Sequence, residues 1–221
     1  MEPHILDLCS IAEKNISKEN IKTIFDVGSR DLEESIYFAE RYPNAKIYSF
    51  ECNPRTISTC IERQKKYSNI FFFSEAVNNY TGTCKFYPTD PEKTITPHPD
   101  GNQGASSLFK ANGNYTLETY IQKEIVVPCT RLDDVIKKHN IDKIDILWMD
   151  LQGAELLALQ SLGDYLDKIS FICTEVEMNP IYENQCLFKD VDNFLNKKFE
   201  KVYGDLNTHW GTNIIYKNYE I

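Results

Sequence analysis

The sequence predicts an α/β protein with a Rossmann-like, mostly parallel sheet and helices on both faces. First, apolar strand-like segments alternate with segments of helical spacing, which is typical of strand–helix–strand units. Second, the last two strand-like segments, "FEKVYGD" and "TNIIYK", are separated only by "LNTHWG". That connection is too short for a crossover helix, so the two strands must pair as an antiparallel hairpin.

The N-terminal half supplies three strands and the helices between them. A helix is expected within residues 1–20, because Ile5, Leu8, Ala12 and Ile16 fall on one helical face. The strand-like runs that follow are "IKTIFDVG", "AKIYSFE" and "NIFFFSEAV". Between them lie the amphipathic segment "DLEESIYFAERY" and a second helical segment that Pro54 opens.

A long polar segment interrupts this alternation at residues 88–114. It is rich in Pro, Gly, Asn, Ser and Thr, and such loops in compact domains are usually lids, binding loops or disordered. We expect it to lie over a site. The preceding "TGTCKFYP" is compatible with an edge hairpin or a single strand, and regular alternation resumes from "KEIVVPC" onward. No second-domain boundary is visible, so a single domain over residues 1–221 is expected.

Composition narrows the classes of partner. The chain has 221 residues, a net charge of −9 and no long basic run, which argues against a nucleic-acid partner. No apolar stretch approaches the roughly 20 residues of a membrane span. Seven cysteines, an odd number without a CxxC pair, are interpreted as reduced thiols, so a cytoplasmic location is expected. The four histidines are scattered, which argues against a structural zinc site.

Polar and acidic residues follow the strand-like segments, where an open α/β sheet binds its ligand. The residues at these strand ends are Asp26, Gly28, Ser29, Arg30 and Asp31; Glu51 and Cys52; Glu75 and Ala76; Asp150 and Gln152; Glu175 and Glu177; and His209 and Trp210. The carboxyl ends of parallel strands meet at one edge, so this edge is the predicted site.

Gly28 and Glu51 indicate an adenosine-containing cofactor. A glycine lets the turn approach a ligand, and an acid about 20 residues later can bind both ribose hydroxyls. A dinucleotide fingerprint would need two further glycines, but Arg30 and Asp31 stand there. This argues against a nicotinamide oxidoreductase, because an acid repels pyrophosphate. It favours S-adenosylmethionine, whose amino group or sulfonium could lie near Asp26 and Asp31. A glycine in an ordinary turn remains the alternative for Gly28.

The chain resembles the FkbM-type family of S-adenosylmethionine-dependent methyltransferases over about residues 21–217. The motifs that carry the resemblance are "IFDVGSRD", "YSFECNP", "SEAV", "GASSLF", "VPCTRLDDVI" and "ILWMDLQGAELLAL". The resemblance implies the class I methyltransferase fold, a seven-stranded sheet whose last hairpin is antiparallel. The chain departs from the family in its first turn, where Ser29, Arg30 and Asp31 replace a small residue, Asn and Gly.

The resemblance also implies roles for the strand-end residues. Gly28 and its neighbours Asp26, Ser29, Arg30 and Asp31 would line the methionine part of the cofactor. Glu51, with the adjacent Cys52, would hold the ribose. Glu75 and Ala76 would border the adenine. Asp150 would lie beside the transferable methyl group.

Methyl transfer to a hydroxyl requires that its proton be removed. Asp150 is a candidate base, or a candidate ligand for a divalent ion that acidifies the hydroxyl. Glu175 and Glu177 could complete such an oxygen-rich site. The metal therefore stays possible but undetermined. His209 is another candidate base, with an ordinary exposed loop histidine as the alternative.

The acceptor is expected to be a hydroxyl of a sugar, a glycan or a sugar-bearing small molecule. Trp210 could stack on a sugar ring or cap the core. Ser106 and Ser107 could donate hydrogen bonds, and Gln152 and Glu177 could also contact the acceptor. Two alternatives stay open: transfer to a nitrogen or protein side chain, and an inactive cofactor-binding module, which Arg30 and Asp31 would favour.

Overall fold

The computed structural model describes residues 3–221. Their helices and strands, in chain order, are α1 (Pro3–Asn15), β1 (Thr23–Val27), α2 (Glu33–Arg41), β2 (Lys46–Phe50), α3 (Ile57–Gln64), β3 (Ile70–Phe73), β4 (Ala76–Val77), β5 (Gly82–Phe86), β6 (Ile125–Thr130), α4 (Leu132–His139), β7 (Ile144–Met149), α5 (Glu155–Ser161), β8 (Ile169–Glu177), α6 (Phe188–Leu195), β9 (Phe199–Tyr203) and β10 (Gly211–Asn218).

Seven of these strands form the main sheet, in the order β3-β2-β1-β7-β8-β10-β9. The first five strands of this order, β3, β2, β1, β7 and β8, are parallel to one another. Strand β10 lies between β8 and β9 and is antiparallel to both. The predicted fold class is therefore confirmed, including its antiparallel final hairpin. The chain builds outward from β1 to β3 and then returns to β7 beside β1, so the strand order reverses between β1 and β7, where such sheets bind ligands.

Apolar packing on both faces of the sheet explains why its central strands read as continuous apolar runs. All six residues of β7 are buried. Leu147 and Met149 belong to one core cluster, and Ile146 and Trp148 to another. Each fully buried side chain of this size contributes roughly 1.5–3 kcal/mol. The two cores together hold the carboxyl ends of β1 and β7 in fixed register.

The N-terminal helix packs on the second of these clusters. The prediction covered residues 1–20, of which 1 and 2 lie outside the described residues; α1 ends at Asn15, and a short 3₁₀ turn follows at Lys18–Asn20. Ile5, Leu8 and Ala12 are buried, as the helical spacing predicted. The helix is also tied to α2, because Arg41 Nε donates to Glu13 Oε1 at 2.7 Å.

The predicted third strand is divided between the main sheet and a second, smaller sheet. "NIFFFSEAV" does not form one strand: β3 ends at Phe73, and Ala76–Val77 pairs with β6 instead. The order of this sheet is β4-β6-β5, with β5 antiparallel to β6. The long polar segment is pinned to its surroundings by four isolated bridges, Tyr87–Ser107, Thr89–Gln122, Ile95–Thr119 and Ala111–Tyr182.

Two further observations bear on the composition argument. All seven cysteines are buried, unpaired thiols, which agrees with their interpretation as small packed hydrophobes. Within residues 3–221, none of the helices has the length and apolar character that crossing a membrane requires.

We predict that Asp145→Ala destabilises the protein by about 1–3 kcal/mol, because it leaves two part-buried backbone donors without their acceptor. Asp145 Oδ2 accepts the backbone N–H groups of Lys22 at 2.7 Å and Thr23 at 3.0 Å, which fixes the entry to β1. Urea unfolding measures the change. The matched control is Asp142→Ala at an exposed position, which should alter the free energy of unfolding little. Equal losses in both variants would contradict this account.

Candidate active site

An open cleft of about 920 Å³ lies at the carboxyl ends of β1, β2 and β7. Its lining includes an apolar group and a charged group. The apolar residues Cys52, Ala76, Phe86 and Leu108 pack together as one cluster, to which β4, β5 and the long loop contribute. The charged residues Arg30 and Glu34 come from the β1–α2 connection. Glu51 and Asp150 also line the cleft.

Gly28 allows the turn after β1 to approach the end of β7. Its φ of 90° lies in the left-handed region, and a Cβ at this position would overlap the carbonyl oxygen of Asp150. Arg30 and Leu32 follow with φ values of 46° and 68°. Such conformations cost of order 1–3 kcal/mol each in non-glycine residues, and they cluster at ligand-binding and catalytic sites.

Backbone N–H groups fix the position of the Glu51 carboxylate. Its Oε1 accepts the N–H of Asn53 at 2.6 Å, and the N–H groups of Cys52 and Arg30 also bond to the carboxylate. Burial and, after it, the charge of Asp150 nevertheless raise the pKa of Glu51 to about 7. A carboxylate fixed in this way at the end of β2 can accept two adjacent hydroxyls.

Gln152 joins the acids at the ends of β7 and β8. Its Nε2 donates to Asp150 Oδ1 at 2.8 Å and to Glu175 Oε2 at 2.7 Å. Its Oε1 accepts the Tyr182 hydroxyl at 2.8 Å, and its φ of 51° is left-handed. Both ends of the Gln152 amide are thus engaged by the protein, and binding of the acceptor by Gln152 stays a prediction.

The segment 103–107 of the long loop is fastened to this same residue. Ser107 Oγ donates to the Gln152 carbonyl at 2.7 Å and accepts the N–H of Phe109 at 3.0 Å. Ser106 Oγ accepts the N–H of Thr89 at 3.2 Å. Both serines line the cleft, as "GASSLF" suggested. Their hydroxyls fix the loop, and their role in binding the acceptor stays a prediction.

Three predicted cofactor residues do not line the cleft. Asp26 is fully buried and accepts a hydrogen bond from Ser35, and burial raises its pKa. Ser29 is buried and donates to the Phe50 carbonyl at 3.3 Å. Asp31 is paired with Arg63 NH1 at 2.8 Å. The alternation along β1 turns Asp26 toward the covering helix, so its place at the strand end did not bring it to the cleft.

The other seven predicted cofactor residues do line the cleft: Gly28, Arg30, Glu51, Cys52, Glu75, Ala76 and Asp150. Sequence reasoning did not single out several further lining residues, which are Glu34, Thr56, Phe86, Gln103 and Leu108. Glu34 lies in the first turn of α2, directly after the glycine turn, and that position could have indicated it. Gln103 and Leu108 belong to the long loop that was expected to lie over a site, whereas Phe86 comes from the small sheet, whose placement no local pattern indicates.

An aromatic group lies beside the acids of β8. Trp210 packs edge-on against Tyr115, with ring centroids 4.9 Å apart, and against His209 at 4.7 Å. Tyr115 and Tyr120 are 5.6 Å apart, and Tyr120 stacks on Tyr182 at 6.2 Å. Only His209 and Trp210 were predicted, because the tyrosines are far away in sequence and show no periodic pattern.

The carboxyls near these rings favour their protonated forms. Burial, together with the charges of Glu155 and Asp150, raises the pKa of Glu177 to about 9. Burial, Asp150 and Glu177 raise the pKa of Glu175 well above its ordinary value. Within the described part of the chain, no group of three or more His, Cys, Asp or Glu residues is placed to hold a metal ion. The oxygen-rich metal set proposed for Asp150, Glu175 and Glu177 is therefore not assembled.

Glu155 has a structural place at the start of α5. Its Oε1 accepts the N–H groups of Leu151 at 2.8 Å and Gly153 at 3.3 Å, and the residue is buried. These bonds close the turn that carries Gln152. In the motif "DLQGAE", Glu155 thus supports Asp150 by shaping the backbone between them.

We predict that Gly28→Ala both destabilises the protein and abolishes binding of S-adenosylhomocysteine, because the new Cβ meets the Asp150 carbonyl. Gly113→Ala is the matched control: Gly113 also has a positive φ, of 78°, but nothing lies within 4 Å of the place that its new methyl group would take. The control should lose only about 1 kcal/mol, the cost of the backbone conformation. Urea unfolding and calorimetry measure both effects, and equal behaviour of the two variants would contradict the role of close approach.

The fold is shared with solved methyltransferase structures. A rRNA methylase from Streptococcus thermophilus aligns with a TM-score of 0.54 at 10% identity, covering 99% of this chain and 97% of that chain. Aeropyrum pernix fibrillarin in complex with natively bound S-adenosyl-L-methionine aligns at 0.52 with 10% identity, covering 96% and 73%. At this identity the likeness shows the fold alone, which is the class I methyltransferase fold.

Two curated proteins are similar in sequence. The 2-O-methyltransferase NoeI of Sinorhizobium fredii is 26% identical over 170 residues, which cover 73% of this chain and 66% of that protein. Methyltransferase 1 of Beauveria bassiana is 26% identical over 166 residues, covering 69% and 64%. The chain thus spans slightly less than two thirds of these relatives. The model of the methyltransferase FkbM domain matches residues 26–203, and the chain belongs to the FkbM methyltransferase family.

Proposed function

We propose that this protein transfers a methyl group from S-adenosylmethionine to a hydroxyl of a sugar, a glycan or a sugar-bearing small molecule. The observation that carries the proposal is the position of Asp150. It lines the cleft directly against Gly28, and Gln152 links it to Glu175 beside the aromatic group. A carboxyl between the cleft and the aromatic group suits proton removal from a hydroxyl. The name of the relative NoeI, a 2-O-methyltransferase, supports O-methylation.

The cleft residues fit the cofactor. The apolar cluster of Cys52, Ala76, Phe86 and Leu108 suits the adenine ring. Glu51 suits the ribose hydroxyls, because its carboxylate is fixed at the strand end beside the glycine turn. When bound, the cofactor supplies a methyl group activated by the adjacent sulfonium. The protein holds and aligns the two substrates, which lowers the entropic part of the barrier.

Asp150 is the proposed general base. Burial first and the charge of Asp150 second raise the pKa of Glu175 well above its ordinary value, so we take Glu175 as the protonated member of the pair and Asp150 as the base. The amide of Gln152 donates to Asp150 Oδ1 and helps to keep its carboxylate charged. Base help of this kind is typically worth about 10²–10⁴-fold. Glu175 then acts as the protonated partner that orients the base.

The acceptor side offers aromatic faces and neutral hydrogen-bonding groups. Trp210 and Tyr115 can pack on the apolar face of a sugar ring. Protonated Glu177 would interact with the acceptor only after local adjustment, because its Oε2 is enclosed and has no partner in the described structure. The acidic rim and the net charge of −9 favour a glycan or small molecule over a nucleic acid. Transfer to nitrogen or to a protein side chain is the competing outcome of the assay.

Two further expectations accompany this proposal. The seven buried thiols support a reducing compartment such as the cytoplasm. Residues 1–221 are proposed to act as one methyltransferase domain, with the long loop at residues 88–114 as part of the site.

We predict that Asp150→Asn lowers the rate of methyl transfer at least 100-fold, while the affinity for S-adenosylhomocysteine stays within a few-fold. The amide keeps the shape of the side chain but cannot take a proton. Transfer of labelled methyl groups to a panel of glycans and glycosides, read by mass spectrometry, measures the rate. Asp164→Asn, at an exposed position, is the control and should leave the rate unchanged. An Asp150→Asn enzyme of undiminished rate would remove Asp150 from the mechanism.

Two variants distinguish the roles of Trp210 and His209 in the final loop. Trp210→Ala is expected to raise KM for the acceptor about 10-fold or more with a smaller effect on kcat, because it removes a stacking face. His209→Ala is expected to change kcat less than threefold, since His209 is exposed and packs on Trp210. Steady-state kinetics on the best acceptor checks both. A large fall of kcat in His209→Ala would make His209 the base instead.

A further inference from the structure

The charged end of the cleft contains two side chains of opposite sign. Arg30 and Glu34 both line the cleft and are four residues apart at the start of α2. The side chain of Arg30 is 49% exposed. Its closest carboxylate oxygens belong to Glu33 at 3.6 Å and Asp31 at 3.7 Å, which exceeds hydrogen-bonding distance. Asp31 is itself engaged by Arg63 at 2.8 Å. The guanidinium therefore has donors to offer to a ligand.

The backbone fixes where this guanidinium lies. Arg30 has a φ of 46°, and its N–H bonds to the carboxylate of Glu51. On its other side the chain of the long loop approaches it: a Cβ on Gly104 would be 3.8 Å from Arg30 Cδ and 3.9 Å from NH1. Arg30 is thus held between the proposed ribose acid and the loop that borders the cleft. None of the apolar cluster residues belongs to this region of the chain, so the two ends of the cleft differ in chemistry.

Glu34 complements Arg30 in charge. It is partly buried, and burial raises its pKa, whereas the charge of Arg30 lowers it and the charges of Glu33 and Asp31 raise it. A carboxylate that loses hydration among other acids is stabilised by a cation that binds beside it. The nearby helix N-terminus favours its charged form as well. Glu34 therefore suits a ligand ammonium group, next to an arginine that suits a carboxylate.

An amino acid carries both of these groups on one carbon. We propose that Arg30 and Glu34 form a charge-paired subsite for the amino-acid end of the methyl donor, with Arg30 donating to its α-carboxylate and Glu34 accepting from its α-ammonium. The inference rests on the proposed function and specifies how its cofactor is recognised. It also gives a role to Arg30, one of the residues at which the first turn departs from the family pattern.

Binding measurements with two ligands test the role of Arg30. S-adenosylhomocysteine carries the amino-acid end, whereas 5′-methylthioadenosine has the same nucleoside and sulfur without it. Arg30→Asn removes the guanidinium and suits a left-handed φ, since asparagine tolerates that conformation. By calorimetry, it should weaken S-adenosylhomocysteine about 10- to 100-fold, the range expected for charge-assisted hydrogen bonds. The affinity for methylthioadenosine should stay within twofold. Arg30→Lys, which keeps the charge but loses the planar fork, should fall between.

The role of Glu34 is tested with a third ligand, the 3-aminopropyl thioether of adenosine, which has the ammonium but lacks the carboxylate. Glu34→Gln should weaken this ligand and S-adenosylhomocysteine alike, but not methylthioadenosine. The affinity of Arg30→Asn for the aminopropyl ligand should be equal to or higher than that of the unaltered protein. Glu34→Gln preserves the turn after β1, so it keeps the test decisive even where Arg30→Asn folds poorly.

The matched control is Arg41→Gln. Arg41 is on the same helix, α2, but pairs with Glu13 and does not line the cleft, so S-adenosylhomocysteine affinity should stay within twofold. Equal weakening of S-adenosylhomocysteine and methylthioadenosine by Arg30→Asn would overturn the subsite, because Arg30 would then only shape the turn. Unchanged binding of both would overturn it too. None of these readouts involves an acceptor, so a failed acceptor assay leaves the subsite standing, and a failed subsite leaves methyl transfer standing.

Discussion

The structure depends on the close approach of two strand ends, those of β1 and β7. Gly28 lies so near the carbonyl of Asp150 that no side chain fits between them. This contact sets the floor of the cleft and brings the turn with Arg30, the carboxylate of Glu51 and the acid of β7 to one place. The cores on both faces of the sheet make the contact rigid, because slipping either strand by one residue would turn its buried side chains to the opposite face.

The acids around this contact would repel one another if all were charged. The protein limits that cost by burial, which raises the pKa values of Glu51, Glu175 and Glu177 and lets some of them keep a proton. Gln152 distributes its two amide hydrogens between Asp150 and Glu175, so that a charged and a neutral carboxyl can lie side by side. The site thus contains acids in different protonation states without needing a protein cation between them.

The sequence predicted the main sheet and the residues that line the cleft from its strand ends, since apolar runs and their polar terminations are local signals. Gly28, Glu51 and Asp150 were found for that reason. Asp26 does not line the cleft, because strand alternation, rather than position at the strand end, decides which face a side chain takes. The small sheet, the fixing of Gln152 by Tyr182 and the tyrosines beside Trp210 depend on contacts between distant segments. No local pattern encodes such contacts, so they required the structure.

The fastening of the long loop ties the cover of the cleft to the base beneath it. Ser107 and, through Tyr182, Ala105 are fastened to Gln152, the residue that also orients Asp150. A displacement of this segment would remove contacts of Gln152, the residue that donates to Asp150. On the proposed function, the base is therefore supported only while the segment is in place, and a cleft without it would be poorly equipped to deprotonate water and waste the methyl group.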